Sequence, residues 1–269
     1  MYSCKILLDS INPNGDRLTS FEITFPRFIL AEVNTHRMLS RSVASSRAIP
    51  FKKMVDKVKE DPFIPFFWGK NQSGMQANEE IVDTFIARSY WLLARDRAIE
   101  QAQHLHDLGV HKQLVNRLLE PYMYCTAIVS ATTFKNFFKL RTHKDAQPEF
   151  QKIASMMEEE YVKSVPNLIA YHQAHLPLID DADRMCLSFK DLLQVSAARC
   201  ARVSYLNHEG VKSYEDDLRL FDRLVSRENE DEPMHLSPLE HCAIATSGSY
   251  GNFTGWKQYR KFFANESGE

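Results

Sequence analysis

The sequence predicts a chain of mixed α/β class, because strand-like and helix-like patterns alternate along its 269 residues. Apolar side chains recur at every second position in the first 25 residues and at helical spacing over 78–109 and 148–161, and 122–130 is rich in β-branched and aromatic residues. Each element follows from its own local signals.

Cys4, Ile6 and Leu8 fall on one face of a first strand, Asn12-Pro13-Asn14-Gly15 turns the chain, and Phe21, Ile23 and Phe25 share one face of a second. Pro26 closes this hairpin. The run Phe28, Ile29, Leu30, Val33 then predicts a helix over 27–40 with His36 and Arg37 near its end. In that case Arg37 and Arg41 lie one turn apart, an unfavourable pairing unless an anion or carboxylate sits between them. The stretch 34–47 gathers His36, Arg37, Arg41 and Arg47 with several serines. Guanidinium forks and hydroxyls grip phosphate, so a nucleotide site is one reading and a solvated Ser/Arg-rich surface the other.

Residues 61–74 are rich in Pro, Gly and aromatics and predict an irregular loop, whose rings either pin it to the core or stack on a planar ligand. Asn78 is placed to cap a long helix with Val82, Phe85, Ile86, Leu92, Leu93, Ile99, Ala102 and Leu105 as its buried stripe and Gly109 as its stop. His104, His106 and His111 near its end read as a solvated face, having no carboxylate or cysteine partner at ligand spacing. A short helix over 112–120 stops at Pro121, a strand follows over 122–130, and 131–141 predicts a helix with Phe134, Phe137 and Phe138 inward. Pro148 suits the start of a helix carrying Phe150, Ile153, Met156, Met157 and Tyr161. The acidic run 180–183 reads as a solvated loop between two parts of the chain, Ser213 and Asp216 form a capping box, and 251–260 suggests a ligand-facing loop and helix start.

Composition narrows the function classes. With 44% hydrophobic and 25% charged residues and a formal net charge of -2, the chain fits an ordinary soluble protein of one large or two small domains, not a nucleic-acid coat. Five widely spaced cysteines without a CxxC pair fit free thiols in a reducing compartment, and no membrane-length apolar run or signal segment is evident, so the cytoplasm is expected.

Three blocks carry a family resemblance. His36-Arg37, seven residues, then Ser45-x-Arg47 resembles the signature of flavin-dependent thymidylate synthases, and the preceding Phe-Glu-Ile-Thr-Phe-Pro-Arg-Phe-Ile-Leu is similar to that family's lead-in. Asn136, Leu140-Arg141 and Ala146-Gln147-x-Glu149 resemble its second block, with Arg117 matching a further arginine. Ala201-Arg-Val-Ser-Tyr205 and His235-x-Ser-Pro-x-Glu-His241 resemble a segment that in the family precedes the His-Arg signature; here it comes last, so the chain looks circularly permuted.

The resemblance implies a mixed α/β (α+β) fold with helices packed on a mixed sheet, one domain over 1–269 made of a 1–165 part and a permuted 190–269 part, and a homotetramer with sites between subunits. It implies C5 methylation of dUMP to dTMP with FAD, NADPH and methylenetetrahydrofolate, and neither a nucleic-acid polymer nor a membrane as partner. By residue, His36, Arg37, Asn136, Ser204 and His241 would hold FAD. Ser45, Arg47 and Arg117 would hold the nucleotide, and Arg141, with Ser45, would serve catalysis by stabilising charge on the pyrimidine. The chain departs from the pattern at Thr35, where the family has arginine, at Ser42-Val43, where it has Asn-Glu, and at Glu32, where a glutamine faces the nucleotide. A carboxylate near a phosphate is unfavourable, so Glu32 either pairs with an arginine or marks a different substrate. Two alternatives follow: a hydroxymethyltransferase acting on dUMP or dCMP, and a nucleotide-binding protein without catalysis. A zinc site at His235, Glu240, His241 and Cys242 lacks ligand spacing, so no metal is expected, and no cysteine has the activating neighbourhood of a methylase nucleophile.

Overall fold

The computed structural model of the protein describes residues 1–205, 213–226 and 234–263, the side chains of 204 and 205 excepted. Strands β1 (Ser3–Ile11) and β2 (Arg17–Pro26) form the expected hairpin. The Asn12 side-chain oxygen accepts from the backbone N–H groups of Asn14 and Asp16, and Gly15 takes a φ of 87°, which the turn requires.

After Pro26 the chain makes a 3-10 turn and a short helix, α1 (Leu30–Asn34), and then departs from the expected long helix. Thr35 ends α1 by donating its hydroxyl to the Glu32 carbonyl at 2.6 Å. Residues 40–43 become strand β3 (Ser40–Val43), paired antiparallel with β4 (Tyr124–Ala131). The helical spacing there was overridden by a partner strand more than eighty residues away. Arg37 and Arg41 are therefore not stacked one turn apart.

Helices α2 (Phe51–Glu60), α3 (Thr84–Asp107) and α4 (Lys112–Val115) form a satellite core around Met54, Val58, Ile99, Ala102, Val115 and Leu119. Asp83, not Asn78, caps α3 by accepting from the Ile86 N–H, and Gly109 stops it at a φ of 82°. The expected buried stripe holds only for the last turns of α3. Phe85 is 77% and Tyr90 68% exposed, with Ile86 and Leu93 exposed beside them, because nothing among the described residues covers that face of the helix. The aromatic loop before α3 is pinned to the core: buried Phe63 stacks on Phe28 at 4.9 Å and accepts from the Trp91 indole through its carbonyl.

Helices α5 (Lys135–Arg141) and α6 (Pro148–Lys163) cover one face of the main sheet, burying Phe134, Phe137, Phe138, Phe150, Ile153 and Met157 against Phe21, Ile23 and Phe25. That sheet runs β3-β4-β2-β1-β5, with β5 (Asn167–Leu168) parallel to β1 and the other pairs antiparallel, so it is mixed as expected.

Its other face carries β6 (Ala174–His175), α7 (Asp181–Cys186), α8 (Phe189–Tyr205), α9 (Tyr214–Val225) and the hairpin of β7 (Ala243–Tyr250) with β8 (Phe253–Gln258). The acidic run is not a solvated loop. Asp180 and Asp183 form the capping box of α7, and buried Asp183 joins Arg199, Asp217 and Arg202 in an ion cluster tying α7, α8 and α9 together. The stretch 251–260 is not a loop but mostly strand β8, with a 3-10 turn starting at Tyr259; Trp256 is fully buried and donates to the Asp16 carbonyl at 3.0 Å. Ser213 caps α9 as expected. The five cysteines are free thiols, and no helix among the described residues is long and apolar enough to cross a membrane.

Candidate functional site

His36 lies in the turn between α1 and β3, half-buried, with its ring edge-on to Phe137 at 5.0 Å and to Phe150 at 5.7 Å. Arg141, the last residue of α5, lays its guanidinium over the Phe150 ring at 4.6 Å and donates through Nε to His36 Nε2 at 2.8 Å. The two residues are separated by 105 positions in sequence. Folding brings them together because α1 and α5 both seal the same apolar face of the sheet. Arg41 completes the turn by donating to the His36 and Leu39 carbonyls.

Burial, followed by the positive charges of Arg141 and then Arg41, pushes the His36 pKa down to about 4. The imidazole is thus neutral at physiological pH. With Nε2 occupied as an acceptor, its proton resides on Nδ1, which has no partner among the described residues. Arg37 is exposed beside it. Arg41 stood in the 34–47 cluster that the sequence marks, but the Phe137 and Phe150 walls were not anticipated as parts of this site, since they are brought in by tertiary packing.

The nucleotide-side residues occupy a second cluster. Ser45 precedes a 3-10 turn over Ser46–Ala48, and Arg47 projects from it, exposed. Buried Asn116 donates its amide to the Ser46 and Ile49 carbonyls at 2.8 and 2.9 Å, holding this turn against the segment bearing exposed Arg117. Among the described residues Arg37, Arg47 and Arg117 have no carboxylate partner. Arg27, by contrast, is paired with Glu120 at 3.0 Å. A cavity of about 250 Å³ opens behind the turn, lined by Ala44, Ile49, Thr24, Lys57, Tyr124 and Thr126.

The Ala146-Gln147-x-Glu149 block builds the start of α6. Gln147 accepts from the Phe150 N–H at 2.8 Å and donates to the Glu149 carboxylate, whose pKa burial raises. Asn136 is exposed in the first turn of α5. Glu32 pairs with no arginine among the described residues, and its Oε2 is buried without a partner.

His241 does not face solvent in this chain. It is fully buried, hydrogen-bonded through Nε2 to Ser42 at 3.0 Å and through Nδ1 to Ser130 at 2.9 Å. Ser130 meets Ser20 at 2.5 Å, Ser20 meets His175 Nε2 at 2.8 Å, and His175 Nδ1 meets Ser10 at 2.8 Å. The four serines stand in a row across β3, β4, β2 and β1, on the face opposite the phenylalanine core. Burial pushes both imidazoles down to about 3. Its neighbours also turn elsewhere: Glu240 pairs with Arg260, and Cys242 donates to Ser196 at 3.2 Å. Ser204 lies in the last turn of α8, and its side chain is outside the described residues.

The sequence matches the family model described as thymidylate synthase complementing protein (Thy1) over residues 18–167. No curated protein is matched at a significant level. Among solved structures, the UMP/dUMP methylase PolB from Streptomyces cacaoi, bound with 5-Br dUMP, superposes with a TM-score of 0.50 at 15% identity, covering 61% of this chain and 90% of that one. Thymidylate synthase X (ThyX) from Helicobacter pylori, with FAD and dUMP, gives a TM-score of 0.39 at 19% identity over 54% of this chain and 67% of that one. The PolB likeness bears on the fold alone. The family match spans more than half of the chain and encloses His36, Arg47, Arg117 and Arg141, and the chain belongs to the Thy1/ThyX family of flavin-dependent thymidylate synthases.

Proposed function

We propose that the protein is a cytoplasmic enzyme that methylates C5 of dUMP to give dTMP, using FAD, NADPH and methylenetetrahydrofolate. The observation that supports this most is the meeting of His36 with Arg141 inside the family-matched segment, next to guanidinium groups without protein partners. FAD reduced by NADPH supplies the hydride that completes the methyl group. The residues present fit a flavin dinucleotide. The His36 Nδ1–H, the Arg37 guanidinium and the Asn136 amide are all donors without a described partner, suited to carbonyl and phosphate oxygens.

Arg47 and Arg117, on turns tied together by Asn116, bind the nucleotide phosphate, with the Ser45 hydroxyl beside them. Arg141 keeps terminal N–H groups to stabilise negative charge on the pyrimidine ring. In this reading His241 acts from behind the site, by fixing Ser42 on β3. The segment 190–269 is the permuted counterpart of the family's N-terminal block, and its described elements α8, α9, β7 and β8 pack on the face of the sheet opposite α6 within a single domain. The exposed apolar half of α3 is the natural contact for a second copy of the chain, consistent with a homotetramer and shared sites.

One observation favours a second reading. The unpaired Glu32 carboxylate is an acceptor, and an exocyclic amino group is its natural donor, which favours dCMP over dUMP as the substrate, the base that the hydroxymethyltransferase alternative admits. One experiment separates the cases: visible spectra of the purified protein with FAD, then with dUMP or dCMP, followed by product analysis with methylenetetrahydrofolate. Methylation consumes NADPH in proportion to product, whereas hydroxymethylation gives product without net NADPH use. Absence of a flavin band under all conditions removes both readings.

A further inference from the structure

We infer that Arg141 is a positioning residue for His36. It fixes the imidazole as the Nδ1–H tautomer, so that this ring offers its ligand a hydrogen-bond donor and not a base. The inference rests on the proposed function only for the identity of the ligand; the tautomer follows from the geometry itself.

The Nε–H of Arg141 can only donate, so His36 Nε2, 2.8 Å away, must present its lone pair. A flip of the ring would put Cε1 in place of Nε2 and lose this hydrogen bond; Phe137 and Phe150 pack against the ring at 5.0 and 5.7 Å, and the guanidinium is itself seated on Phe150. The charged groups that face the ring are Arg141 from α5 and Arg41 from β3. Glu240 bears on Arg41 from the turn before β7, and Glu149, next to Phe150 on α6, is engaged by Gln147. Among the described residues no carboxylate acts on the ring to stabilise an imidazolium, and the pKa near 4 agrees with this arrangement.

Neutral His36 then presents one N–H, beside the terminal N–H groups of Arg141 and the exposed Arg37. This is a donor-only surface. It selects a ligand edge made of acceptors, a carbonyl or an anionic oxygen, and disfavours one that leads with N–H. Because one side chain holds His36 and also carries donors for the pyrimidine side, a ligand that draws Arg141 away releases His36. The flavin-side and nucleotide-side residues are linked through that single hydrogen bond.

The test is nitrogen-15 NMR of the imidazole in the protein without ligand, over the range in which it stays folded, from pH 8 to about pH 5, for wild type, Arg141→Gln and Arg141→Lys. Wild-type His36 should show the Nδ1–H tautomer and stay neutral across that range. Arg141→Gln should raise the midpoint into that range and mix the tautomers. Arg141→Lys keeps the charge and should hold the midpoint below it, separating the effect of charge from that of the planar fork. A wild-type Nε2–H tautomer, or a ring that stays neutral across the range in folded Arg141→Gln, overturns the inference. A protein that binds no flavin but shows the Nδ1–H tautomer refutes the proposed function and leaves the inference standing.

Discussion

Three histidines among the described residues are held neutral by burial, His36 at one place and His175 and His241 at another, and their surroundings differ in one respect. His175 and His241 are sealed between serines, with both nitrogens of each ring satisfied. His36 has one nitrogen engaged by Arg141 and the other without a partner. The first arrangement joins the C-terminal elements to the main sheet. The second leaves a half-buried donor without a partner among the described residues, free to meet a ligand. Saturation of hydrogen-bonding capacity, more than residue type, separates scaffold from site here.

The sharpest way to test this contrast is acid. His175 and His241 titrate near 6.5 in the unfolded chain and near 3 when folded. Above pH 6.5 neither state binds the proton and the pair has no effect on stability. Below it the unfolded chain takes up protons that the folded chain refuses, so stability falls. The slope approaches about 1.4 kcal/mol per pH unit for each ring, or roughly 3–4 kcal/mol between pH 6.5 and pH 5. Urea unfolding at the two pH values measures it, and a flat profile would show that the rings are not held neutral.

A smaller effect is expected from breaking the seam at one link. His175→Phe leaves Ser10 and Ser20 without their partner and should cost roughly 2–4 kcal/mol, read as a lower urea midpoint. At the open site the loss should appear in binding instead. Arg47→Ala, at an exposed position with no described partner, should weaken nucleotide affinity by about tenfold while the unfolding midpoint moves by less than about 0.5 kcal/mol. Calorimetric titration with dUMP and dCMP checks it, and a stability loss without an affinity loss would reverse the assignment.

Elements with local punctuation were legible in the sequence. The Asn12–Gly15 turn, the Gly109 stop, Pro148 at the head of α6 and Ser213 before α9 each carry their cause within a few residues. What was not legible depends on partners far along the chain. Strand β3 exists because β4 offers it an edge, and the seam emerges only when the strand register sets Ser130 against Ser20 and the C-terminal part brings in the histidines that reach on to Ser42 and Ser10. Asp183 looked solvated until Arg199 was placed beside it. At the candidate site, His36, Arg37 and Arg141 stood out by their pattern, but their mutual contact did not, since it needs two elements on the same core face. The exposed half of α3 carried an apolar stripe like any buried helix; nothing in the pattern says whether its cover comes from the same chain.

The serine and histidine seam has a direction. Its six groups carry one hydrogen each and are joined by five links, so when every hydroxyl between the rings keeps its hydrogen in the row, all groups point the same way, toward Ser10 or toward Ser42. If one imidazole reversed alone, either a hydroxyl hydrogen between the rings would lose its place or Ser20 and Ser130 would face each other with lone pairs at 2.5 Å. The two rings, one from β6 and one from the turn before β7, are thus bound to a common polarity. Whatever sets the hydrogen on Ser42, at the edge nearest the candidate site, also sets it on Ser10 at the far side of the sheet.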